Sequence, residues 1–178
     1  GRFQESYDLL AAAEAAYPEH NQRLYEWRFD IAARMGKLEL AEQVLQDALD
    51  AGCYYGEYAL RKDDDLMEMQ GRPAFEALVE RNFAMLAEAQ KHTRPVLEVL
   101  NRGVEEKSTL PLLLALHGNN SNNFRFRQNW SNLQGSNWLV ALAQSSQVSG
   151  KGLYSWNDMA LVEKEIREHY RQLIGAFP

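Results

Sequence analysis

The sequence has very little cysteine and no long hydrophobic run. Cys53 is the only cysteine among 178 residues, so no disulfide forms within the chain and no second thiolate is available for a metal site. This usage is typical of a reducing compartment, and we expect a cytoplasmic protein. No stretch approaches the roughly 18 consecutive apolar residues of a spanning helix, and the N-terminus lacks a signal-peptide pattern. The composition therefore predicts no association with a membrane.

Positive charge is also scarce. The chain has 19 Lys and Arg against 25 Asp and Glu, a formal net charge of −6, and a pI near 5.3. Because the basic residues are scattered, no basic surface attracts a phosphate backbone, and nucleic acid is excluded as an expected partner. With 46% hydrophobic and 25% charged residues, the composition is that of a folded globular protein and excludes disorder.

The first half of the chain contains an internal repeat with an offset of 35 residues. Identical residues recur in register at three pairs of positions: Gly1 and Gly36, Leu10 and Leu45, Ala13 and Ala48. The offset is close to the period of about 34 residues that is typical of helix-turn-helix repeats. Apolar residues at helical spacing flank Gly36, with Leu24, Trp27, Ile31 and Met35 before it and Leu38, Ala41, Leu45 and Ala48 after it. Two antiparallel helices joined at Gly36 are predicted.

The glycine and alanine positions of residues 1–52 resemble the tetratricopeptide repeat. We therefore predict a tetratricopeptide-like helical-repeat region over residues 1–92, with a last helical stretch from Glu57 to Gln90. The face predicted for that stretch comprises Phe75, Leu78, Val79, Asn82 and Leu86. Three consecutive carboxylates begin at Asp63 but lack the spacing of a calcium loop, so a helix cap in a solvated loop is expected.

The periodicity changes after Pro95, and residues 93–178 are predicted to form a second domain. Apolar runs beginning at Pro95, Leu110 and Trp138 indicate strands. Leu112–Leu116 is apolar at every position, which favours a strand covered on both faces in a parallel sheet. A helix is predicted from Met159 to Ile174, with an apolar stripe of Val162, Ile166, Tyr170 and Leu173. The predicted fold class is α plus α/β.

Three segments in order, LLLALHGNNSNN, WLVALAQSSQ and YSWND, resemble the carboxylesterase and phospholipase branch of the α/β-hydrolases. The resemblance implies that the chain contains the first half of such a domain. It also implies an oxyanion loop formed by His117, Gly118, Asn119 and Asn120, with the Asn119 amide as the donor. A glycine lets the backbone approach a ligand, and a fixed N–H in a site poor in water stabilises developing negative charge.

The segment around Trp156 is the second site expected from the resemblance. In the family, an aromatic element with a following acid lies near the substrate pocket, and here Trp156, Asn157 and Asp158 occupy its place. The alternative is structural: Asn157 or Asp158 caps the next helix, and Trp156 fills the core. Both interpretations are kept at this stage.

The nucleophile that the resemblance calls for is missing. The sequence has no Gly-x-Ser-x-Gly elbow, and Ser121, Ser136 and Ser149 lack its context. His117 is not expected to be the catalytic histidine, which in this family follows the nucleophile, and no metal or other cofactor is implied. We expect a fragment of a serine hydrolase that acts on a small-molecule carboxylic ester or thioester and is inactive without the triad.

A second hypothesis is a protein-interaction module built on the helical repeats, with a non-catalytic hydrolase remnant. Its partner would be a protein held on the concave surface of the repeats. An open edge of the sheet would also allow oligomerisation by strand pairing. Exposed aromatic side chains in a helical groove would favour this hypothesis.

Overall fold

The computed structural model describes residues 1–100, 110–133 and 136–177, which divide into two compact units. The first unit comprises residues 1–89 with 149–151, and the second comprises residues 90–148 with 152–178. The polar stretch predicted between the first two strands, residues 101–109, lies outside the described residues, as does Gly135 beside Ser136. No helix of the described ranges combines the length and apolarity needed to cross a membrane.

The first unit is helical. Its helices are α1 (Arg2–Ala16), α2 (Asn21–Arg34), α3 (Leu38–Asp50) and α4 (Pro73–His92). The pair predicted around Gly36 is present as α2 and α3, and Gly36 adopts a φ of 69°, a left-handed conformation that a side chain would strain. Ala41 and Ala48 are fully buried, so α2 and α3 approach closely at these positions.

The segment between α3 and α4 differs from the predicted continuous helix. It contains a short π-helical turn, Tyr58–Lys62, and a 3₁₀ turn, Asp64–Met69. Asp63 has extended backbone angles and its carboxylate accepts the Asp65 N–H at 2.9 Å, which is the expected cap. Because a further copy of α2 at the 35-residue offset would need a helix over residues 56–69, the repeat does not continue past α3.

A buried asparagine organises the core of the first unit. Asn82 on α4 is fully buried, and its side-chain Oδ1 accepts the Tyr55 N–H at 2.7 Å while its Nδ2 donates to the Tyr55 carbonyl at 2.8 Å. The Tyr55 ring packs edge-on against Phe29, with centroids 5.3 Å apart. One side chain thus satisfies both backbone groups of a buried residue, as a neighbouring strand would.

The second unit contains the sheet. Strands β1 (Val96–Val99), β2 (Leu112–Leu116) and β3 (Leu139–Gln144) form a sheet in the order β1-β3-β2. Strands β2 and β3 are parallel, whereas β1 is antiparallel to β3, so the predicted parallel pairing is present between β2 and β3 and the prediction is wrong for β1. An antiparallel strand beside parallel ones is common in α/β folds. The strands lie where the apolar runs predict them.

The central strand, β3, is the strand buried on both faces, whereas the sequence had predicted this for β2. Val140, Ala141, Leu142 and Ala143 are fully buried, whereas β2 is only partly buried and Leu116 is exposed. The reason is position, because β3 has a paired strand on each side and β2 has only one among the described residues. Composition alone did not distinguish the central strand from its neighbour.

After β3, the chain forms a hairpin of β4 (Gln147–Gly150) and β5 (Leu153–Ser155), with Gly152 in the turn at a φ of 67°. Neither strand was predicted. Helix α5 (Asn123–Phe126) follows β2, and α6 (Met159–Ala176) ends the described chain.

The buried face of α6 is rotated relative to the predicted stripe. Val162 and Leu173 are buried as predicted, but Tyr170 is exposed, and the buried positions between them are Glu165 and His169. The Ser146 hydroxyl donates to Glu165 at 2.5 Å. Neither ring nitrogen of His169 reaches hydrogen-bonding geometry with another described residue. Two ionisable side chains therefore sit where an apolar stripe was expected.

The Asn82 contact generates the first prediction. Replacement of Asn82 by Ala should lower the free energy of unfolding by about 3 kcal/mol, because two buried backbone groups lose their partners. Urea unfolding followed by circular dichroism measures the change, and amide exchange at Tyr55 should accelerate in parallel. The control Gln43→Ala removes an exposed amide side chain and should change little. Equal stability of the Asn82 variant and wild type would contradict this account of the core.

The buried His169 generates a prediction about pH. Burial lowers its pKa, against the opposing effects of Glu165, Glu168 and the Gln144 carbonyl. Because its pKa is lowered in the folded protein, His169 takes up a proton at a higher pH in the unfolded chain than in the folded one. The free energy of unfolding should therefore fall as the pH drops below about 6.5. Thermal unfolding between pH 7.5 and 5 should show less acid destabilisation for His169→Leu than for wild type or for the exposed-residue control His20→Gln. An unchanged pH dependence in His169→Leu would refute the assignment.

Candidate functional site

The candidate site lies at the carboxyl ends of β2 and β3. Because these strands are parallel and Leu116 pairs with Ala143, the segments that follow them emerge side by side. His117 follows β2, and Ser145 follows β3 one residue after its end. Ligands of open α/β sheets bind outside the carboxyl ends of the strands. The predicted oxyanion loop is therefore at the edge of the sheet where a site is expected.

His117 links the two strand ends through its imidazole. The ring is buried; its Nε2 accepts the Ser145 N–H at 3.2 Å, and its Nδ1 lies 2.7 Å from the Gly118 carbonyl oxygen. A nitrogen that accepts an amide hydrogen bond carries no proton, so the ring proton is on Nδ1 and is donated to Gly118. Burial lowers the pKa of His117, with the Gly118 carbonyl opposing, which favours this neutral tautomer.

Trp156 belongs to the same cluster. Its indole N–H donates to the His117 carbonyl at 2.9 Å, and the two rings pack with centroids 5.1 Å apart. The side chain is half-buried, so it supports the loop while presenting part of its surface to solvent. The structure thus brings Trp156 to His117 in the predicted oxyanion loop, although the two residues are 39 positions apart in sequence.

The far end of the loop is fixed as well. Ser121 exchanges two backbone hydrogen bonds with Tyr154 of β5, at 3.3 and 2.9 Å. The Asn123 side chain donates to the Leu142 carbonyl at 3.1 Å, and its backbone N–H donates to the Gln144 side chain at 3.0 Å. Both ends of the loop are therefore anchored to the sheet or the hairpin.

The middle of the loop is exposed between these anchors. Gly118, Asn119 and Asn120 are accessible, and Asn120 has a left-handed φ of 50°. Among the described residues, the Asn119 N–H has no acceptor. A Cβ added at Gly118 would meet nothing within 4 Å, so the described structure does not require a glycine there.

The His117 contact also determines the direction of the Asn119 amide. A trans peptide places its C=O and N–H on opposite sides of the same plane. Because the Gly118 carbonyl is directed at the His117 ring, the Asn119 N–H of that peptide is directed away from the ring. Asn119 is an exposed residue, and its N–H has no acceptor among the described residues.

The other two expected pocket residues do not join the cluster in this way. Asp158 is the N-cap of α6, where its carboxylate accepts the N–H groups of Ala160 and Leu161 at 3.0 and 3.1 Å. Asn157 is exposed. The capping alternative therefore accounts for Asp158. The backbone of Asp158 is further held by the Gln147 side chain, which accepts its N–H at 2.7 Å.

Sequence reasoning missed the partners that fix the loop. Gln144, Ser145 and Tyr154 were not singled out, although polar residues at the end of a buried strand were a usable signal for Gln144 and Ser145. In the described ranges no serine hydroxyl is hydrogen-bonded to a histidine, because His117 binds the Ser145 amide while the Ser145 hydroxyl accepts the Gln147 N–H. The described part of the chain also contains no cluster of three metal-ligating side chains.

Comparisons with known proteins give a family match and a match to a solved structure. The crystal structure of an uncharacterized protein from Bacillus cereus ATCC 10987, determined at 2.75 Å resolution, matches at 22% identity with a TM-score of 0.40. The match covers 97% of this chain and 60% of that one, so this chain spans about 60% of that protein's length. No curated protein matches the chain.

The family match falls on the helical part of the chain. A family model described as "A/B hydrolase-like, N-terminal domain" matches residues 1–90. The tetratricopeptide resemblance for that region rests on the spacing of its glycines and alanines alone. The hydrolase resemblance noted in the sequence lies in the other half, so the two indications come from separate residues. Since the match extends over half of its 178 residues, the chain belongs to the A/B hydrolase-like family, through its N-terminal domain.

Proposed function

We propose that this chain is the N-terminal part of a serine hydrolase that cleaves a carboxylic ester or thioester, and that the Asn119 amide is a donor of its oxyanion hole. The observation that supports the proposal is the Asn119 N–H, which has no acceptor among the described residues and follows the Gly118 carbonyl that His117 binds at the carboxyl edge of the sheet. The family match to an A/B hydrolase-like N-terminal domain supports the same reaction class.

The chemistry assigns one role to this loop. A serine hydroxyl attacks the carbonyl carbon while a base takes its proton, and the carbonyl oxygen becomes an oxyanion. The leaving group departs with a proton, and water then hydrolyses the acyl-serine. A fixed amide stabilises the oxyanion without reorganising during the reaction, and removing one such donor lowers kcat by about 10²–10³-fold.

His117 acts in this scheme as a positioning residue. Its neutral ring holds the Gly118 carbonyl, and through the planar peptide it orients the Asn119 N–H. A ring that stays neutral keeps the Ser145 contact, which a doubly protonated ring would lose because both nitrogens would then be donors.

The nucleophile, acid and catalytic histidine are proposed to lie in a part of the parent protein outside these residues. This sequence has no Gly-x-Ser-x-Gly elbow. The chain alone would therefore bind no acyl group covalently.

We also propose a tetratricopeptide-like repeat and a cytoplasmic location. The tetratricopeptide resemblance is supported by one helical pair, α2 and α3, with the Gly36 turn and the buried Ala41 and Ala48. A cytoplasmic location is supported by the use of a single cysteine, Cys53.

The proposed function is tested by comparing this chain with the protein purified from its natural source. The natural protein should exceed 20.4 kDa by intact mass, hydrolyse p-nitrophenyl acetate and react with a fluorophosphonate probe. The 178-residue chain should neither hydrolyse the ester nor react with the probe. A natural protein of 20.4 kDa without esterase activity, or labelling of the short chain, would contradict the proposal.

The oxyanion role is tested with Gly118→Ala in the natural protein. Because a Cβ there meets nothing within 4 Å, the free energy of unfolding should change by less than about 0.5 kcal/mol. Ester kcat/KM should nevertheless fall at least tenfold, since the added methyl group lies beside the donor and crowds a bound carbonyl.

The matched control is Gly175→Ala in α6, where a Cβ also has open space. It should leave kcat/KM unchanged. Full activity of Gly118→Ala at unchanged stability would remove this loop from the active site.

A further inference from the structure

A groove in the first unit is separate from the candidate hydrolase site. It lies among α1, α2 and the 3₁₀ turn Asp64–Met69, and its volume is about 390 Å³. Its apolar lining consists of Leu9, Leu10, Trp27 and Ile31. Leu9 is 71% exposed and Trp27 is 45% exposed, although Trp27 falls at helical spacing with the buried Leu24.

Two carboxyl groups line one side of the groove. Asp30 and Asp65 line it, and the Oδ1 of Asp30 is inaccessible and has no hydrogen-bond partner among the described residues. The cationic residue of the lining, Arg34, is already engaged: its guanidinium lies 3.5 Å from Asp65 and 4.9 Å from the centre of the Phe3 ring. The cation that lines the groove therefore does not pair with Asp30.

The titration of Asp30 reflects its burial and the acidic groups around it. Burial, followed by the charges of Asp63, Glu26 and Asp65, raises its pKa to about 8, and Arg34 only partly offsets them. Burial also raises the pKa of Glu26, with Arg23 opposing. A carboxyl group that retains its proton near neutral pH becomes a carboxylate when a cation is placed beside it, because the opposite charge favours the ionised form.

We propose that this groove binds a segment of a partner protein in which an aliphatic or aromatic side chain lies close to a lysine or arginine. The apolar side chain packs against Leu9, Trp27 and Ile31, and the cation pairs with Asp30. The apolar lining matches the apolar side chain, and the Asp30 carboxyl group, which ionises beside a cation, matches the lysine or arginine. This proposal is independent of the hydrolase assignment.

A protein segment suits the groove better than an enclosed small molecule. Small-molecule sites bury most of their ligand in a closed cavity, whereas here the lining residues Leu9 and Trp27 are themselves largely exposed. An occupant would keep one face in solvent, as a helix or extended segment of a larger protein does when it lies in a groove. Tryptophan is also enriched among the residues that dominate binding energy at protein interfaces.

The test uses the natural protein and a defined set of acetylated, amidated peptides. Each peptide pairs Leu or Phe with Lys or Arg at a separation of one to four residues, and a matched set carries Gln in place of the cation. Binding is measured by ¹H–¹⁵N NMR titration and by calorimetry. Basic peptides should shift the resonances of Leu9, Trp27 and Ile31, and should bind at least tenfold more tightly than their Gln counterparts.

The variant Asp30→Asn tests the charge pair. It retains the shape of the protonated carboxyl group, so the fold should persist while affinity for the basic peptides falls at least tenfold. The control Asp47→Asn removes the same charge from an exposed position of α3 and should leave affinity unchanged. Binding to wild type should release a proton and strengthen as the pH rises towards 8, because the bound state needs the carboxylate.

Three results would overturn the proposal. The first is the absence of shifts in the groove with every basic peptide at millimolar concentration. The second is equal affinity for the Lys or Arg peptides and their Gln counterparts, which would leave an apolar surface without charge recognition. The third is unchanged affinity in Asp30→Asn. None of these measurements depends on esterase activity. The groove proposal and the hydrolase proposal can therefore be contradicted independently of each other.

Discussion

The hydrogen bond from the Ser145 amide to the His117 ring is the contact on which the candidate site depends. It exists because β2 and β3 are parallel and end together, so that the residues following them are neighbours. This bond leaves Nε2 unprotonated, places the ring proton on Nδ1 and so directs the Gly118 carbonyl inward. The Asn119 amide is turned outward as a consequence, and Trp156 covers the ring that holds it.

Buried polar side chains have matching roles in the two units. In the first unit, Asn82 satisfies both backbone groups of Tyr55, and in the second unit His117 and Asn123 tie a loop to the sheet. Each replaces water at backbone groups that burial would otherwise leave unpaired. In the first unit, part of α2 lies outside the core. There Trp27 and Asp30 line a groove that has both an apolar and a carboxyl-bearing side.

The sequence predicted those features that depend on local pattern. The strands β1, β2 and β3, the helix α6 and the Gly36 turn follow from periodicity and from the conformational freedom of glycine. The features that it did not predict depend on neighbours distant in sequence. Residue pattern alone cannot show that β3 lies between two strands, that the buried face of α6 contains Glu165 and His169, or that Trp156 reaches His117. For the same reason Asp158, expected beside a pocket or as a cap, was assigned only by its hydrogen bonds.

The most direct test of this account is the protonation state of the His117 ring, measured by ¹⁵N NMR of histidine-labelled protein. The account predicts a neutral ring with the proton on Nδ1, an unprotonated Nε2, and a titration displaced below the ordinary histidine range because the ring is buried. A proton on Nε2, or a ring that titrates as an exposed histidine does, would contradict it. With a proton on Nε2, Ser145 could not donate to the ring, and the contact that orients the Asn119 amide would be lost.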